Sequence, residues 1–290
     1  VKMLVSVAAI ATFALQGAAS VSAHVARTIT VNINGAFIST DSSPFIDSGR
    51  VMVPLRTLAS LGLTYVWDAA SHTAEITNAS HDVVKVTEAL STAYINGQAT
   101  ELDVPANNYG GRIMVPARFV SEAFGFKVKY EKTRGILFVK DADYRVDASK
   151  LASADLKEAR LAAISLPIAY SFIPASKAES DQYEEYSYTF ASGDASRYTY
   201  ATPIATTLVE VKDGVARAVW QFKLLRTHSA DVTLAGSKPS YDVTELYGTY
   251  FGHKSNGKNE ASYIDKDGDR KWFAFSMNNY GDIIQAIPED

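Results

Sequence analysis

The sequence predicts an α+β protein: two tandem small units, each an antiparallel sheet with one helix, followed by a β-rich α+β C-terminal domain. Three observations predict it. One motif-bearing segment occurs twice at an offset of 62 residues. Each copy sets Asn-Gly turns and alternating apolar runs around a single short helical stretch. Beyond residue 153 one helical stretch is followed by three strand pairs separated by turn residues. The 290-residue length leaves room for two or three compact domains, and the 47% hydrophobic, 21% charged composition is that of a folded chain.

The first element reads as an address. Lys2 precedes an apolar stretch from Leu4 to Leu15, and Val21-Ser22-Ala23 supplies small residues at a cleavage position. Residues 1–23 are thus expected to be a signal peptide, and the stretch is short for a membrane span, which needs roughly 20 apolar residues. The chain contains no cysteine, which excludes thiol chemistry and cysteine-ligated metals. A cysteine-free exported protein fits a Gram-positive type of envelope. Residues 24–145 carry 12 basic and 12 acidic side chains, and residues 146–290 carry 15 and 20. Neither half has the basic excess of a nucleic-acid binder.

The repeat spans 28–79 and 86–141. The first copy reads Ile33-Asn34-Gly35, then Gly49-Arg50-Val51-Met52-Val53-Pro54-Leu55-Arg56, then Gly62 and Trp67-Asp68. The second reads Ile95-Asn96-Gly97, then Gly111-Arg112-Ile113-Met114-Val115-Pro116-Ala117-Arg118, then Gly125 and Tyr130-Glu131. Asn-Gly between alternating runs predicts a two-residue hairpin. Pro54 and Pro116 suit the first helical position, where a missing N–H costs nothing. Gly62 and Gly125 suit the left-handed residue that ends a helix. A second hairpin closes each copy, Thr64–Trp67 with Ala74–Thr77 and Lys127–Tyr130 with Ile136–Lys140. A unit of about 60 residues is marginal alone, so the two copies are expected to pack on each other.

These residues resemble the bacterial copper amine oxidase N-terminal-like domain, also called the stalk domain, in the Gly-Arg-x-Met-Val-Pro-x-Arg core, the downstream glycine and the Trp-Asp pair. The resemblance covers 28–141. It implies small antiparallel sheets wrapped on a helix, commonly in tandem on exported proteins of Gram-positive bacteria. The second copy departs at Ala117 and at Tyr130-Glu131, and both changes read as conservative for packing. In amine oxidases this domain is an appendage, and the chemistry needs a tyrosine in an Asn-Tyr-Asp/Glu setting and three histidines on copper. Here Asn108-Tyr109 and Asn279-Tyr280 are each followed by glycine. The five histidines (His24, His72, His81, His228, His253) show no paired metal spacing. The resemblance therefore implies neither copper oxidase activity nor a cofactor.

Residues 142–152 read as a linker, and 153–290 as the C-terminal domain. Ser153 is the expected N-cap of a helix through Leu156, Ala159, Ala163 and Ile164, stopped by Pro167. Strand pairs are expected at Tyr186–Phe190 with Tyr198–Tyr200, Val209–Val211 with Val215–Leu224, and Tyr263–Ile264 with Trp272–Phe275. Eleven of the 16 tyrosines lie after residue 145. Tyr186, Tyr188, Tyr198 and Tyr200 could form a sugar-stacking row or an internal cross-strand cluster. Arg56 and Arg118, at the same place in each copy, could hold an anionic group or form structural ion pairs. Asp265-x-Asp267-Gly268-Asp269 lacks the glycine and glutamate positions of a calcium loop and reads as a hairpin turn. No nucleophile elbow, phosphate loop or His-Glu-x-x-His occurs. Glu184-Glu185 point to opposite strand faces.

The expectation from sequence is a non-enzymatic exported cell-envelope protein, secreted or wall-associated, without catalytic or metal residues. Its stalk-type units would present the C-terminal domain to wall polymer, polysaccharide or another envelope protein. The alternatives are a small extracellular hydrolase in the C-terminal domain, or a polysaccharide-binding module.

Overall fold

The computed structural model describes residues 29–175, 185–191, 193–223 and 232–241, together with the strands Thr249–Lys254, Glu260–Ile264 and Arg270–Ala274. In those three strands and at residues 185–186 the backbone alone is described. The signal-peptide residues 1–23, the Tyr186 ring, the Asp265–Asp269 turn, Asn279-Tyr280 and the side chains of His24, His228 and His253 lie outside the described residues.

The Asn-Gly turns form as their chemistry dictates. Asn34 and Gly35 have φ of 49° and 80°, and Asn96 and Gly97 have 49° and 82°. Positive φ at both central residues gives a turn whose twist matches the flanking strands. The first turn joins β1 (Thr30–Ile33) to β2 (Ala36–Ile38). Next come β3 (Phe45–Asp47), β4 (Arg50–Pro54), a 3₁₀ helix Leu55–Leu61, β5 (Thr64–Asp68), β6 (Thr73–Thr77) and β7 (Val83–Thr87). The second copy supplies β8 (Thr92–Ile95), β9 (Gln98–Glu101), β10 (Asn107–Tyr109), β11 (Arg112–Pro116), α1 (Ala117–Ala123), β12 (Lys127–Glu131) and β13 (Ile136–Lys140). Pro54 and Pro116 end their strands with extended backbone (ψ 133° and 110°), one residue short of the helical position expected of them. Gly62, at φ 73°, closes the first helix with its amide on the Ala59 carbonyl.

The pairing departs from two consecutive units. One sheet runs β12-β13-β1-β2, a second β10-β11-β4-β3, and a third β5-β6-β7-β8-β9. Every one of these sheets takes strands from both sequence copies. The centre is symmetric in register: Val53 faces Val115, Met52 faces Pro116, and Pro54 faces Met114. Val53 and Val115, 62 apart, form the centre, and the flanking pairs exchange equivalent residues about it. Alternation along β4 and β11 sends Met52 and Met114 to a cluster with Val104 and Phe45, and Val53 and Val115 to the main core. That main core joins Val31, Leu58, Ile76, Val84, Val120 and Leu137, so it too belongs to both copies. Residues 79–86 thus separate no pair of independent cores.

The span expected as a linker contains α2 (Ala148–Leu151), and α3 (Leu156–Ile164) follows. The α3 cap is Asp155, whose carboxylate accepts from the Lys157 and Glu158 amides; Ser153 instead accepts from the Asp155 amide. Arg160 on α3 is fully buried, with its guanidinium donating to the Asp194 and Ala191 carbonyls. The remaining strands are β14 (Ile168–Tyr170), β15 (Glu185–Phe190), β16 (Arg197–Ala201), β17 (Thr206–Lys212), β18 (Val215–Lys223), β19 (Val232–Gly236), β20 (Thr249–Lys254), β21 (Glu260–Ile264) and β22 (Arg270–Ala274). They form one sheet in the order β14-β18-β17-β16-β15-β20-β21-β22, with β19 also on β18. The three strand pairs expected from sequence are β15–β16, β17–β18 and β21–β22. The β14–β18 pair is parallel, as is β1–β13. Among the described residues no helix is long and apolar enough to cross a membrane.

Candidate functional site

Among the described residues, side chains from several elements converge at a groove and at a buried junction. The first is a groove of about 390 Å³ where α1, β12, the β3–β4 hairpin and the end of β9 meet. Its floor is apolar: Val51, Leu102, Phe119, Val128, Tyr130 and Leu137 line it, with Leu102 and Leu137 belonging to the buried core. Its rim is charged, with Arg50, Arg118 and Lys132 set among Glu101, Asp103 and Glu122. The volume lies in the range of small-ligand sites, about 300–1,000 Å³. Arg50 is committed to Asp103, its Nε 2.7 Å from the carboxylate. Arg118 is 57% exposed at its side chain, and among the described residues it pairs with Glu122, one helical turn on at 3.8 Å.

The two arginines singled out from sequence therefore differ. Arg56 turns to Asp41, with Nη1 3.4 Å away, and Asp41 also accepts from Arg112 Nε at 2.6 Å. Arg118 lines the groove. A structural ion pair describes Arg56; Arg118 stands at the rim of a cavity.

The tyrosines are corrected more fully. Tyr188, Tyr198 and Tyr200 are 5%, 0% and 2% exposed, so they present no open stacking row. Tyr188 pairs across the sheet with Tyr200, ring centroids 5.0 Å apart, and Phe190 with Tyr198 at 5.4 Å. The alternation of β15 and β16 puts these rings on one face of the sheet, in a buried cluster with Ala163 and Ile164 of α3 and Leu166 just beyond it. Cross-strand aromatic packing is their role.

That aromatic cluster borders the second place, a buried junction that the sequence reading passed over. Glu131 ends β12, and Arg134 sits in the turn before β13. Both are buried, and Glu131 Oε2 accepts from Arg134 Nη2 at 2.8 Å. The same Oε2 accepts the Ile168 amide of β14 at 2.8 Å. Arg134 donates onward to the Ile164 and Leu166 carbonyls, each at 2.7 Å. One ion pair thus binds the backbone at the end of α3 and the start of β14. Lys129 adds a bond from Nζ to the Ile168 carbonyl at 3.2 Å. Burial alone would lower the pKa of the Arg134 guanidinium, but the Glu131 carboxylate overrides it and holds the group well above its usual value. Burial pushes the Tyr170 hydroxyl up to about 12 and the Tyr198 hydroxyl higher still.

Replacing Trp-Asp by Tyr-Glu is therefore not a conservative packing change. Asp68, the counterpart of Glu131, is solvent-facing and holds its own turn, through the Ala70 amide and the Ser71 hydroxyl. The carboxylate that is one methylene longer, with arginine where the first copy has Ser71, converts the turn into an anchor. Those two differences between the copies were the signal in the sequence. Of the described histidines, His72 pairs with Glu88 at 2.7 Å and His81 occupies a turn with φ of 67°. No group of three metal-capable side chains occurs among the described residues.

Residues 32–139 match the family described as the copper amine oxidase N-terminal domain. The match is a single span, less than half of the chain, and it coincides with β1 through β13. No curated protein matches the chain. The match is consistent with a domain of that kind, and its one-piece extent agrees with a core shared by both sequence copies.

Proposed function

We propose that the chain is a non-enzymatic exported protein of the cell envelope, in which the copper amine oxidase N-terminal-like body holds the C-terminal sheet in a fixed pose for contact with wall polymer or another envelope protein. In this reading the body is a duplicated stalk unit whose two copies have exchanged strands. The observation that carries the proposal is the Glu131–Arg134 junction. A freely linked domain would need no buried ion pair at its boundary, and boundaries otherwise fall in exposed linkers with few crossing contacts. Here the pair supplies two carbonyl bonds and one amide bond to the first turn-and-strand of the C-terminal part. Phe37 of β2 also packs against the C-terminal core. These contacts support rigid presentation.

The test is co-sedimentation of the full-length protein with purified cell wall, with released products assayed in the same tubes. Retention without product release supports the proposal. Absence of retention sinks the wall-binding version, and steady release of wall fragments establishes the hydrolase alternative.

A further inference from the structure

Six residues lining the groove on the N-terminal body differ in chemistry from their counterparts in the first copy. Counted from the shared Val-Pro, Phe119 corresponds to Thr57 and Glu122 to Ser60; in the preceding segment Glu101 corresponds to Ser39 and Leu102 to Thr40. After the glycine, Lys132 corresponds to Ala69 and Leu137 to Ala74. The residues common to both copies, such as the Arg-Asp pairs and the Met-Val-Pro core, account for the fold. Phe119, Glu122, Glu101, Leu102, Lys132 and Leu137 of the lining thus have no like residue in the first copy, whereas Arg50, Val51, Asp103 and Arg118 recur in both.

The charges decide what fits. Three cationic and three anionic side chains share the rim, Arg50 and Asp103 being already paired with each other. A purely anionic ligand, such as a phosphate, would meet Glu101, Asp103 and Glu122 beside any arginine it reached. A neutral sugar would bury part of that rim without answering its charge. A ligand carrying both charges and an apolar group answers all three surfaces at once. The outer position of β12 in its sheet favours an extended peptide, since a strand edge offers backbone hydrogen bonds.

We propose that this groove is a peptide-binding site that seats an apolar side chain on Phe119, Leu102 and Leu137, a terminal carboxylate at Arg118, and an ammonium at Glu101 and Glu122. Arg118 suits the carboxylate because its planar fork is solvent-accessible and its ion-pair partner among the described residues, Glu122, stands at 3.8 Å. The site lies wholly within the body of β1 through β13 and requires nothing of the C-terminal sheet, so it stands or falls apart from the presentation reading.

The experiment is calorimetric titration of the full-length protein with the dipeptide leucyl-phenylalanine. Its C-terminal amide, its N-acetyl form and inorganic phosphate are titrated alongside. Binding of the free dipeptide is expected, with at least a tenfold loss on amidation or acetylation. Arg118→Gln should cost the free dipeptide the same tenfold and leave the amide unchanged, whereas Arg56→Gln should leave both unchanged. An unaltered melting curve shows that each exposed-site variant is folded. No binding by the free dipeptide, equal binding of free and amidated forms, or phosphate binding as tight as the dipeptide overturns the proposal.

Discussion

Arg50 and Asp103 form an ion pair that joins the two halves of the N-terminal body, and Arg112 and Asp41 repeat it in the opposite sense. Each arginine is 62 residues from its counterpart, and so is each aspartate. The motif arginine thus reaches across to the other copy in both cases. This reciprocity follows from the antiparallel pairing of β4 and β11 about Val53 and Val115.

The two pairs are not equal in weight. Asp41 serves both Arg112 and Arg56, and it is 32% exposed at its side chain against 67% for Asp103. Exposed pairs contribute about 0.2–1 kcal/mol. Asp41→Asn is expected near the upper end of that range and Asp103→Asn near the lower, as read by urea denaturation. The reverse order would mean that Asp41 is not the shared acceptor.

The Glu131–Arg134 junction should be far more sensitive. Removing one member leaves the other buried and unpaired, which costs about 3–5 kcal/mol. Glu131→Gln and Arg134→Met are each expected in that range. The double variant Glu131→Gln with Arg134→Met should cost less than the sum, because no orphaned charge remains. Additive losses in the denaturation cycle would show that the two side chains do not act as one unit.

Much of this architecture was readable in the residues. Asn34-Gly35 and Asn96-Gly97 specified hairpins, Gly62 a helix end, and the doubled Met-Val-Pro segment a repeated core. Those signals are local, carried by backbone preference and alternation. The parallel partner of β1 is 106 residues away in β13, and no local preference encodes such a pairing. The tyrosines show the same limit: their alternation placed Tyr188, Tyr198 and Tyr200 on one face, but which face α3 covers is a tertiary fact. Glu131 and Arg134 were visible as departures from the first copy, yet their meaning depends on carbonyls more than 29 residues further on. The groove was legible only at Arg118, since its other walls come from three separate elements.

Alkaline pH should loosen the C-terminal core. The Tyr170 hydroxyl is raised by burial from the usual value near 10 to about 12. The folded state therefore holds this proton more tightly than the unfolded chain. Its contribution is complete below pH 10 and is lost as pH rises from about 10 to about 12. Stability measured by urea denaturation should fall across that window, and Tyr170→Phe should make the fall shallower. An identical slope in the variant would show that Tyr170 titrates alike in both states.

Glycine replacements should separate strain from collision. Gly97 has φ of 82°, with open space where a Cβ would stand, so Gly97→Ala is expected to cost about 1 kcal/mol from backbone conformation alone. Gly236 has φ of 71°, and a Cβ there would lie 2.4 Å from the Val219 carbonyl oxygen and 2.8 Å from the Phe172 ring. Gly236→Ala should cost more than about 2 kcal/mol, because a paired backbone carbonyl must move. Thermal unfolding of the two variants ranks them.

The central structural claim is that β1 through β13 form one body, and native-state hydrogen exchange of the full-length protein tests it most directly. Amides of Val31 and Ile33 in β1, Val53 in β4, Val84 in β7, Val115 in β11 and Val139 in β13 should share one free energy of opening under mild denaturant, as members of one cooperative unit. Loss of protection across residues 30–77 while residues 92–140 remain protected would contradict it.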